Sequence, residues 1–472
     1  MKNRNNLSLK ELKEIIPIIK INNVLDNEVF DYFRIAGLNN IRYEDFANNT
    51  LFFFSYCKKE DLSGWYINEF DYRLYTENII NDNPNFTFVI EKEQEKLINN
   101  KNIKYIVVDN VNVVIDLLFD YVMKNRKAKT ISVTGSVGKT TCIGLLEKVL
   151  KEKYNVLRIY SKRVTPIILK ANVINFLTDE IDYIVMEFSI FYHDHVQVFT
   201  DYLKPFIAGI INIESSHMGI DLLNTIDDIC FYKSIILKYA KYGFVNGNDE
   251  YLKELSYKNN LLTYKDKVII QNNDLCLEKL DLNNIVIKNN EFCIDNVKWK
   301  PFIFSNLAKI QYYIVYKIAK TLNIGDDTII KCFNSYLPVE NRMHEKIAFD
   351  KNIIFDGDIT TYERIKELSD NYYDNKYLIL RKVGSSENTL RIKNIKEYFN
   401  CYKKVYIFDD VEYLKYFKDE KNIEIVNNHD FMKDIDGIII YHYSGYFRSF
   451  KEFNEDNLKI YDDKIYKIKM ED

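Results

Sequence analysis

The chain has 472 residues, enough for about three domains of ~100–200 residues each. Hydrophobic residues make up 47% and charged residues 28%, the balance of a globular protein with ample core. A net charge of −4 and a pI near 6.0 exclude a global attraction to nucleic acid or to an anionic membrane, so any basic site must be local. Seven cysteines stand singly and form no C-x-x-C pair, which argues for reduced thiols rather than a disulfide framework or structural zinc. No run approaches the ~20 apolar residues of a membrane span. The opening MKNRNNLSLKELKEIIPIIK lacks the apolar core and small-residue cleavage site of an export signal. A cytoplasmic protein is expected.

In chain order, residues 1–128 read as one α/β unit with TLFFFSY, FTFVIEK and KYIVVDN as candidate strands. The aromatic residues of TLFFFSY are read first as core. Over residues 129–341 short apolar strands (TISVTG, NVLRIYS, DYIVMEFS, FIAGIINI, KYGFVN) alternate with helical stretches such as GKTTCIGLLEKVLKEK and TIDDICFYKSIILKYAKY. That alternation predicts a doubly wound parallel sheet with helices on both faces. From Asp274 to Trp299 the polar, Asn-rich text predicts a small antiparallel insertion, followed by the amphipathic helix NLAKIQYYIVYKIAKTL. Residues 342–472 alternate again: KNIIFDGD, KYLILRK, KKVYIFDD, NIEIVNN and DGIIIYHY are strands, and YERIKELSDNYYD, LRIKNIKEYF and VEYLKYF are helical. The expected fold is α/β in three domains: 1–128, a central P-loop doubly wound parallel sheet over 129–341, and a C-terminal Rossmann-like domain over 342–472.

The sharpest local signal is Val133-Thr-Gly-Ser-Val-Gly-Lys-Thr-Thr141, between a strand and a helix. Gly135 and Gly138 permit a tight turn whose N–H groups, with those of Ser136 and Val137, point at a phosphate. The following helix adds its positive end. Lys139 would reach the terminal phosphates, and the hydroxyl of Thr140, next to Thr141, would ligate Mg²⁺. An ordinary glycine turn before a helix is the weaker alternative.

Glu187 ends the strand DYIVMEFS, and His217 follows FIAGIINI through the turn Glu214-Ser-Ser-His217. Both fall at carboxyl ends of strands, where ligands bind in open α/β sheets. Together they could hold Mg²⁺ or Mn²⁺; each alone reads equally as a solvated carboxylate or a hydrogen-bonded histidine. His193-Asp-His195 reads as a surface turn rather than a metal site.

Taken together and in order, these motifs resemble the Mur ligase family. The matching segments are the T-G-x-x-G-K-T loop from Thr134 to Thr140, Glu187, and Asn212-Ile-Glu-Ser-Ser-His217. Lys233, sixteen positions beyond His217, fits the family lysine that is carbamylated and helps place a metal. GFVNGND is similar to the family V-x-N-x-D segment. Val339-Glu-Asn-Arg342 resembles the G-R turn whose arginine approaches the phosphates. Asp356 matches the aspartate that approaches the nucleotide ribose. The family's H-N-x-x-N adenine segment is not present, and NLAKIQ offers Asn306 and Gln311 in its place. Asn341 replaces the usual glycine before Arg342, and the N-x-N loop expected after the second strand is absent from SKRVTPIILK. Near the C-terminus, Tyr443-Ser-Gly-Tyr-Phe-Arg448 stands without the family lysine.

The resemblance implies an ATP-dependent carbon–nitrogen ligase of the cytoplasm, working as a monomer through an acyl phosphate. Lys139, His217, Lys233 and Arg342 would be catalytic. ATP would be held by residues 135–141 with Asn306, Arg342 and Asp356; Thr140, Glu187, His217 and carbamylated Lys233 would hold Mg²⁺. Within the family, IIFDGDITTYERIKEL and GSVGKTT most resemble the branch that adds D-alanyl-D-alanine to a UDP-muramyl tripeptide in peptidoglycan precursor synthesis. The partners implied are a nucleotide-sugar peptide, or another small acid, and an amino acid or dipeptide, with no nucleic acid. Two other readings stay open: a related ligase that attaches an amino acid to a capsule sugar, polymer or cofactor, and a nucleotide-binding regulator without ligase chemistry.

Overall fold

The computed structural model describes residues 5–35, 49–57, 70–160, 164–215, 218–338, 343–357, 362–371, 373–381, 394–408 and 421–443. Three main sheets form. The first is five-stranded, in the order Lys20–Asn22, Lys104–Val108, Thr87–Glu91, Thr50–Phe53, Tyr32–Ile35. Its first pairing is antiparallel and the others are parallel. Phe52, Phe53 and Phe54 are all buried, so the aromatic run of TLFFFSY is core.

The central sheet has six strands in the order Val156–Ile159, Tyr183–Phe188, Lys129–Thr134, Ile207–Ile210, Tyr242–Asn246, Cys276–Leu280. The strand leading into the glycine loop is therefore interior, and Ile131 and Val133 are fully buried. The third sheet runs His344–Ala348, Lys351–Asp356, Ile438–Tyr443, Lys376–Arg381, Lys404–Phe408, Ile423–Val426, parallel throughout except for its first strand. A helical layer and an apolar core of Ile353, Phe355, Ile379, Tyr406 and Ile439 accompany it.

The expected antiparallel insertion is corrected in two respects. Antiparallel structure begins earlier, in the three-stranded sheet Leu255–Lys258, Leu261–Tyr264, Lys267–Gln271. Cys276–Leu280 then pairs in parallel with Tyr242–Asn246 and belongs to the central sheet. As an end strand it keeps a polar outer face, which made it look like part of the insertion. A second antiparallel sheet, Val286–Lys288, Glu291–Ile294, Val297–Trp299, completes the region. The hairpins of the two antiparallel sheets turn without glycine: Asn259-Asn260 and Lys265-Asp266 in the first and Asn289-Asn290 in the second all take positive φ, the backbone of two-residue hairpin turns.

The segment LRIKNIKEYF enters a 3-10 helix over Ile395–Cys401 rather than an α-helix. VEYLKYF and most of the Tyr443–Arg448 segment lie outside the described residues, as does the start of SKRVTPIILK.

The chain divides into two compact units: Met1–Ser132 with Tyr154–Phe206 and Gly219–Asn224, and Val133–Lys153 with Ile207–Met218 and Thr225–Asp472. In the first unit the N-terminal sheet is tied to the helix Pro166–Phe176 by the buried Asn175. Its amide nitrogen donates to Phe33 O at 2.9 Å, and its carbonyl accepts from Phe33 N at 2.9 Å. The second unit contains the glycine loop, the antiparallel sheets and the C-terminal sheet.

Candidate active site

Within the second unit, the glycine loop leads into the helix Lys139–Leu150, capped by Gly138 at φ +83°. A Cβ on Gly138 would stand 2.6 Å from the Gln311 Nε2 and 2.9 Å from a Leu307 methyl, so backbone conformation and space both require glycine. Gln311 returns the contact by donating to Gly138 O at 2.9 Å. The helix is anchored by Cys142, Leu145, Leu146 and Val149, all buried, which fixes its positive end at the loop.

Asn212 follows the strand Ile207–Ile210, and its side-chain oxygen accepts from Ser136 N at 2.9 Å and Val137 N at 3.1 Å. The hydroxyl of Ser136 donates to Glu214 O at 3.1 Å and accepts from Glu214 N at 2.8 Å. The loop amides thus already face an oxygen acceptor, the disposition an anion needs.

Two lysines converge on one carbonyl. Lys139 Nζ donates to Gly135 O at 2.9 Å and to Ser136 O at 3.0 Å, and Lys233 Nζ donates to Gly135 O at 2.8 Å. Lys233 is buried, and burial first, then the charge of Lys139, pushes its pKa well below the ordinary lysine range. Burial thus favours the neutral amine, which is the form able to take up CO₂ as a carbamate. Thr140 is the second residue of the helix, and Thr141 is buried with its carbonyl accepting from the Tyr336 hydroxyl at 2.9 Å.

A cleft of about 580 Å³ opens beside the loop, lined on one side by Val137, Asn212 and Glu214 and on another by Asn306, Tyr362, Lys366 and Asp370. Asn246 and Asp249 of GFVNGND also line it. Burial raises the Asp249 carboxyl, although it accepts from the amides of Ile213 (2.9 Å), Tyr251 and Leu252 (both 3.0 Å). Two polar bridges cross the cleft. Lys366 Nζ meets Glu214 Oε1 at 2.7 Å, and Asn306 Nδ2 donates to Asp370 Oδ1 at 3.0 Å.

The structure thus brings together residues 135–141, Lys233 and Asn306. Asp356, expected beside a nucleotide ribose, is not among the residues that line this cleft. It is wholly buried at the end of Lys351–Asp356, its two carboxylate oxygens taken by Arg364 and by His442 Nδ1. Burial would raise this carboxyl, but the charge of Arg364 and the His442 hydrogen bond hold it well below its usual range. Glu187 is the penultimate residue of the strand Tyr183–Phe188 in the first unit, half-buried. His217 and Arg342 lie outside the described residues. The segment at His193 is corrected in part: His193 bonds Asp221, but His195 is fully buried at the start of the helix His195–Leu203 rather than on a surface turn. Among the described residues no group of three or more His, Cys, Asp or Glu side chains is placed to hold a metal, and no helix is long and apolar enough to cross a membrane.

The sequence motifs included Asn212, Glu214 and Gln311 but not the contacts they make here, and Lys366 and Asp370 were not singled out. Asn212 directly follows an apolar run, a position that carries ligands in open sheets, and was legible on that ground. Lys366 and Asp370 are four apart and share a helix face, a spacing equally common on solvated surfaces.

Residues 133–302 match the family model for the Mur ligase middle domain. This stretch is thus similar to the middle domain of the Mur ligases. A UDP-N-acetylmuramoyl-tripeptide–D-alanyl-D-alanine ligase of Borreliella burgdorferi is 27% identical over 181 residues, 38% of each chain. A UDP-N-acetylmuramoylalanine–D-glutamate ligase of Rickettsia prowazekii is 25% identical over 302 residues, 62% of each. The chain thus spans 38% of the length of the first of these relatives. Among solved structures, the UDP-N-acetylmuramoylalanyl-D-glutamyl-2,6-diaminopimelate–D-alanyl-D-alanyl ligase of Acinetobacter baumannii is similar with a TM-score of 0.67 at 13% identity, covering 98% of both chains. The MurF ligase of Thermotoga maritima in complex with ADP gives 0.62 at 16%, covering 92% of this chain and 98% of that one. At these identities the structures show the fold alone, α/β with parallel sheets.

Proposed function

We propose that this protein is an ATP-dependent amide-bond ligase that activates a carboxylate as an acyl phosphate and passes the acyl group to an amine. The observation that carries the proposal is the convergence of Lys139 and the buried Lys233 on Gly135 O, at the mouth of a helix N-terminus that opens on the 580 Å³ cleft. The Mur ligase middle domain and the relatives' names support a UDP-muramyl peptide as the acid and D-alanyl-D-alanine as the amine, in cytoplasmic peptidoglycan precursor synthesis.

A carboxylate oxygen of the acid attacks the γ-phosphorus of ATP; the bond to the β,γ-bridging oxygen breaks and ADP leaves. The amine then attacks the acyl carbon, the C–O bond to phosphate breaks, and inorganic phosphate departs as the amine loses a proton. The first step brings anion to anion, and in the second negative charge builds on the acyl oxygen and the departing phosphate, so charge neutralisation is the main task. The loop amides and Lys139 cradle the phosphates, Lys139 exchanging its contacts with Gly135 O and Ser136 O for phosphate oxygens. Arg342 is assigned to the same phosphates. Mg²⁺ would supply further neutralisation when bound. The hydroxyl of Thr140 and a carbamate on Lys233 suit a hard cation, and the resemblance adds Glu187 and His217. Closure of the cleft through Lys366 and Asp370 keeps water from the acyl phosphate.

The test is phosphate release from ATP and Mg²⁺, screened over UDP-muramyl peptides paired with D-alanyl-D-alanine and other amines. Release that needs both acid and amine, and is lost in Lys139→Ala, supports the cell-wall ligase. Release with a different acid–amine pair moves the substrate to another polymer or cofactor. ATP binding without turnover on any pair overturns the ligase in favour of a regulator.

A further inference from the structure

The helix Asn306–Thr321 buries Leu307, Ala308, Ile310, Ile314 and Val315, and one amide, Gln311, sits among them at 2% exposure. An apolar side chain is the stable choice in such a setting. Gln311 Nε2 donates to Gly138 O at 2.9 Å, but Gln311 Oε1 is buried with no hydrogen-bond partner among the described residues. An unsatisfied buried oxygen costs stability, so the amide is held here for what its nitrogen does. Sequence position sets Gln311 near the family's adenine segment, whereas the structure turns its donor to the glycine loop.

Gly138 O also accepts from Cys142 N at 3.0 Å, the first bond of the helix Lys139–Leu150. Gln311 adds a second donor, and its own carbonyl meets Cys142 Sγ at 3.9 Å. The peptide joining Gly138 to Lys139 is planar and trans, so its C=O and N–H point opposite ways. Fixing Gly138 O down the helix therefore aims the Lys139 N–H out of the helix's positive end. The hold matters because Gly138, at φ +83°, is the residue type with the most backbone freedom to lose. We propose that Gln311 is a positioning residue of the glycine loop: by holding Gly138 O it keeps the Lys139 amide aimed at the phosphates, raising phosphate affinity while lowering fold stability. The assignment rests on the proposed ATP-dependent function.

Equilibrium binding of ATP and of inorganic tripolyphosphate, which has neither base nor sugar, to the full chain tests this without turnover. Gln311→Met keeps the length of the side chain and removes both its donor and its unsatisfied oxygen. Gln311→Glu sets a carboxylate against Gly138 O. In Gln311→Met both ligands should bind about tenfold more weakly, the loss when one amide bond to a charged phosphate is misaimed (about 1.4 kcal/mol). Its melting temperature without ligand should equal or exceed that of the wild type. Gln311→Glu should weaken both ligands at least as much. Unchanged affinity in both variants overturns the assignment. So does a loss confined to ATP, which would put Gln311 against base or sugar, or a melting temperature that falls with affinity in Gln311→Met, which would make the amide a part of the fold. Binding of ATP but not of tripolyphosphate by the wild type overturns it too, since the loop would then hold no phosphate by itself. Failure of the wild type to bind ATP at all overturns the proposed function itself, and this assignment with it.

Discussion

Lys233 Nζ and Gly135 O lie 2.8 Å apart in a fully buried contact, with the Lys139 ammonium bound to the same oxygen at 2.9 Å. Two amines on one carbonyl repel when both are charged, and burial together with the charge of Lys139 lowers the pKa of Lys233. The unfolded chain protonates this lysine below ~10.4, whereas the folded chain leaves it neutral over a window reaching well below that value. Through that window the unfolded state binds more protons, so the contribution of Lys233 to stability improves as pH rises, by at most about 1.4 kcal/mol per unit. Urea midpoints measured from pH 7 to 10 should rise less steeply in Lys233→Met than in wild type. Equal slopes would place the charge on Lys233.

The same neutral amine should accept CO₂. With ¹³C-bicarbonate, a carbamate resonance is expected in the wild-type protein and should vanish in Lys233→Met. Phosphate release should fall with it by at least tenfold, because the carboxylate of the carbamate is then lost from the site.

Gly138→Ala should cost about 1–2 kcal/mol from the left-handed backbone alone, and more if Gln311 is displaced from its 2.9 Å bond to Gly138 O. ATP affinity should drop as well, since the same residue caps the helix proposed to hold the phosphates. Chemical denaturation and nucleotide titration of the variant check both effects.

Asp356 should matter for stability. Its low pKa means that its contribution is present above the unfolded carboxylate value of ~3.9 and is lost as pH falls through the folded value. Asp356→Asn leaves Arg364 and His442 without their carboxylate and should cost about 3–5 kcal/mol at neutral pH. Acid titration of the variant should show a flatter fall in stability below pH 4 than in wild type.

The Glu214–Lys366 pair is part-exposed, at 22% and 44%, so it should add only about 0.2–1 kcal/mol to stability and should weaken with salt. Lys366→Met should barely move the melting temperature. It should nonetheless raise the rate of ATP hydrolysis uncoupled from the amine, because the bridge closes the cleft beside Ser136. Phosphate release with the acid alone, wild type against variant, measures this.

Much of the fold was legible because buried parallel strands write themselves as short apolar runs, as TISVTG and FIAGIINI do, each followed by its glycine or asparagine turn. Cys276–Leu280 was not, because an end strand with polar outward residues resembles an antiparallel ribbon. The tight glycine turn before a helix was readable from spacing, since Gly138 has a backbone that other residues resist. Asp356 shows the opposite case. Motif position suggested a ligand contact, but Arg364 on the next helix and His442 on the adjoining strand capture the carboxylate. That capture depends on three residues separated by as many as 86 positions, and no local pattern announces it. Lys366 and Asp370 were hidden for a related reason: a polar helix face looks the same whether it meets water or the wall of a cleft.

The central claim is an acyl phosphate, and oxygen transfer tests it most directly. A UDP-muramyl tripeptide carrying ¹⁸O in its free carboxylates, incubated with ATP, Mg²⁺ and D-alanyl-D-alanine, should deliver one ¹⁸O atom to each inorganic phosphate formed, with an equal amount of amide product. Phosphate free of ¹⁸O, released with or without the amine, would mean that water attacks the γ-phosphorus and would contradict the ligase account.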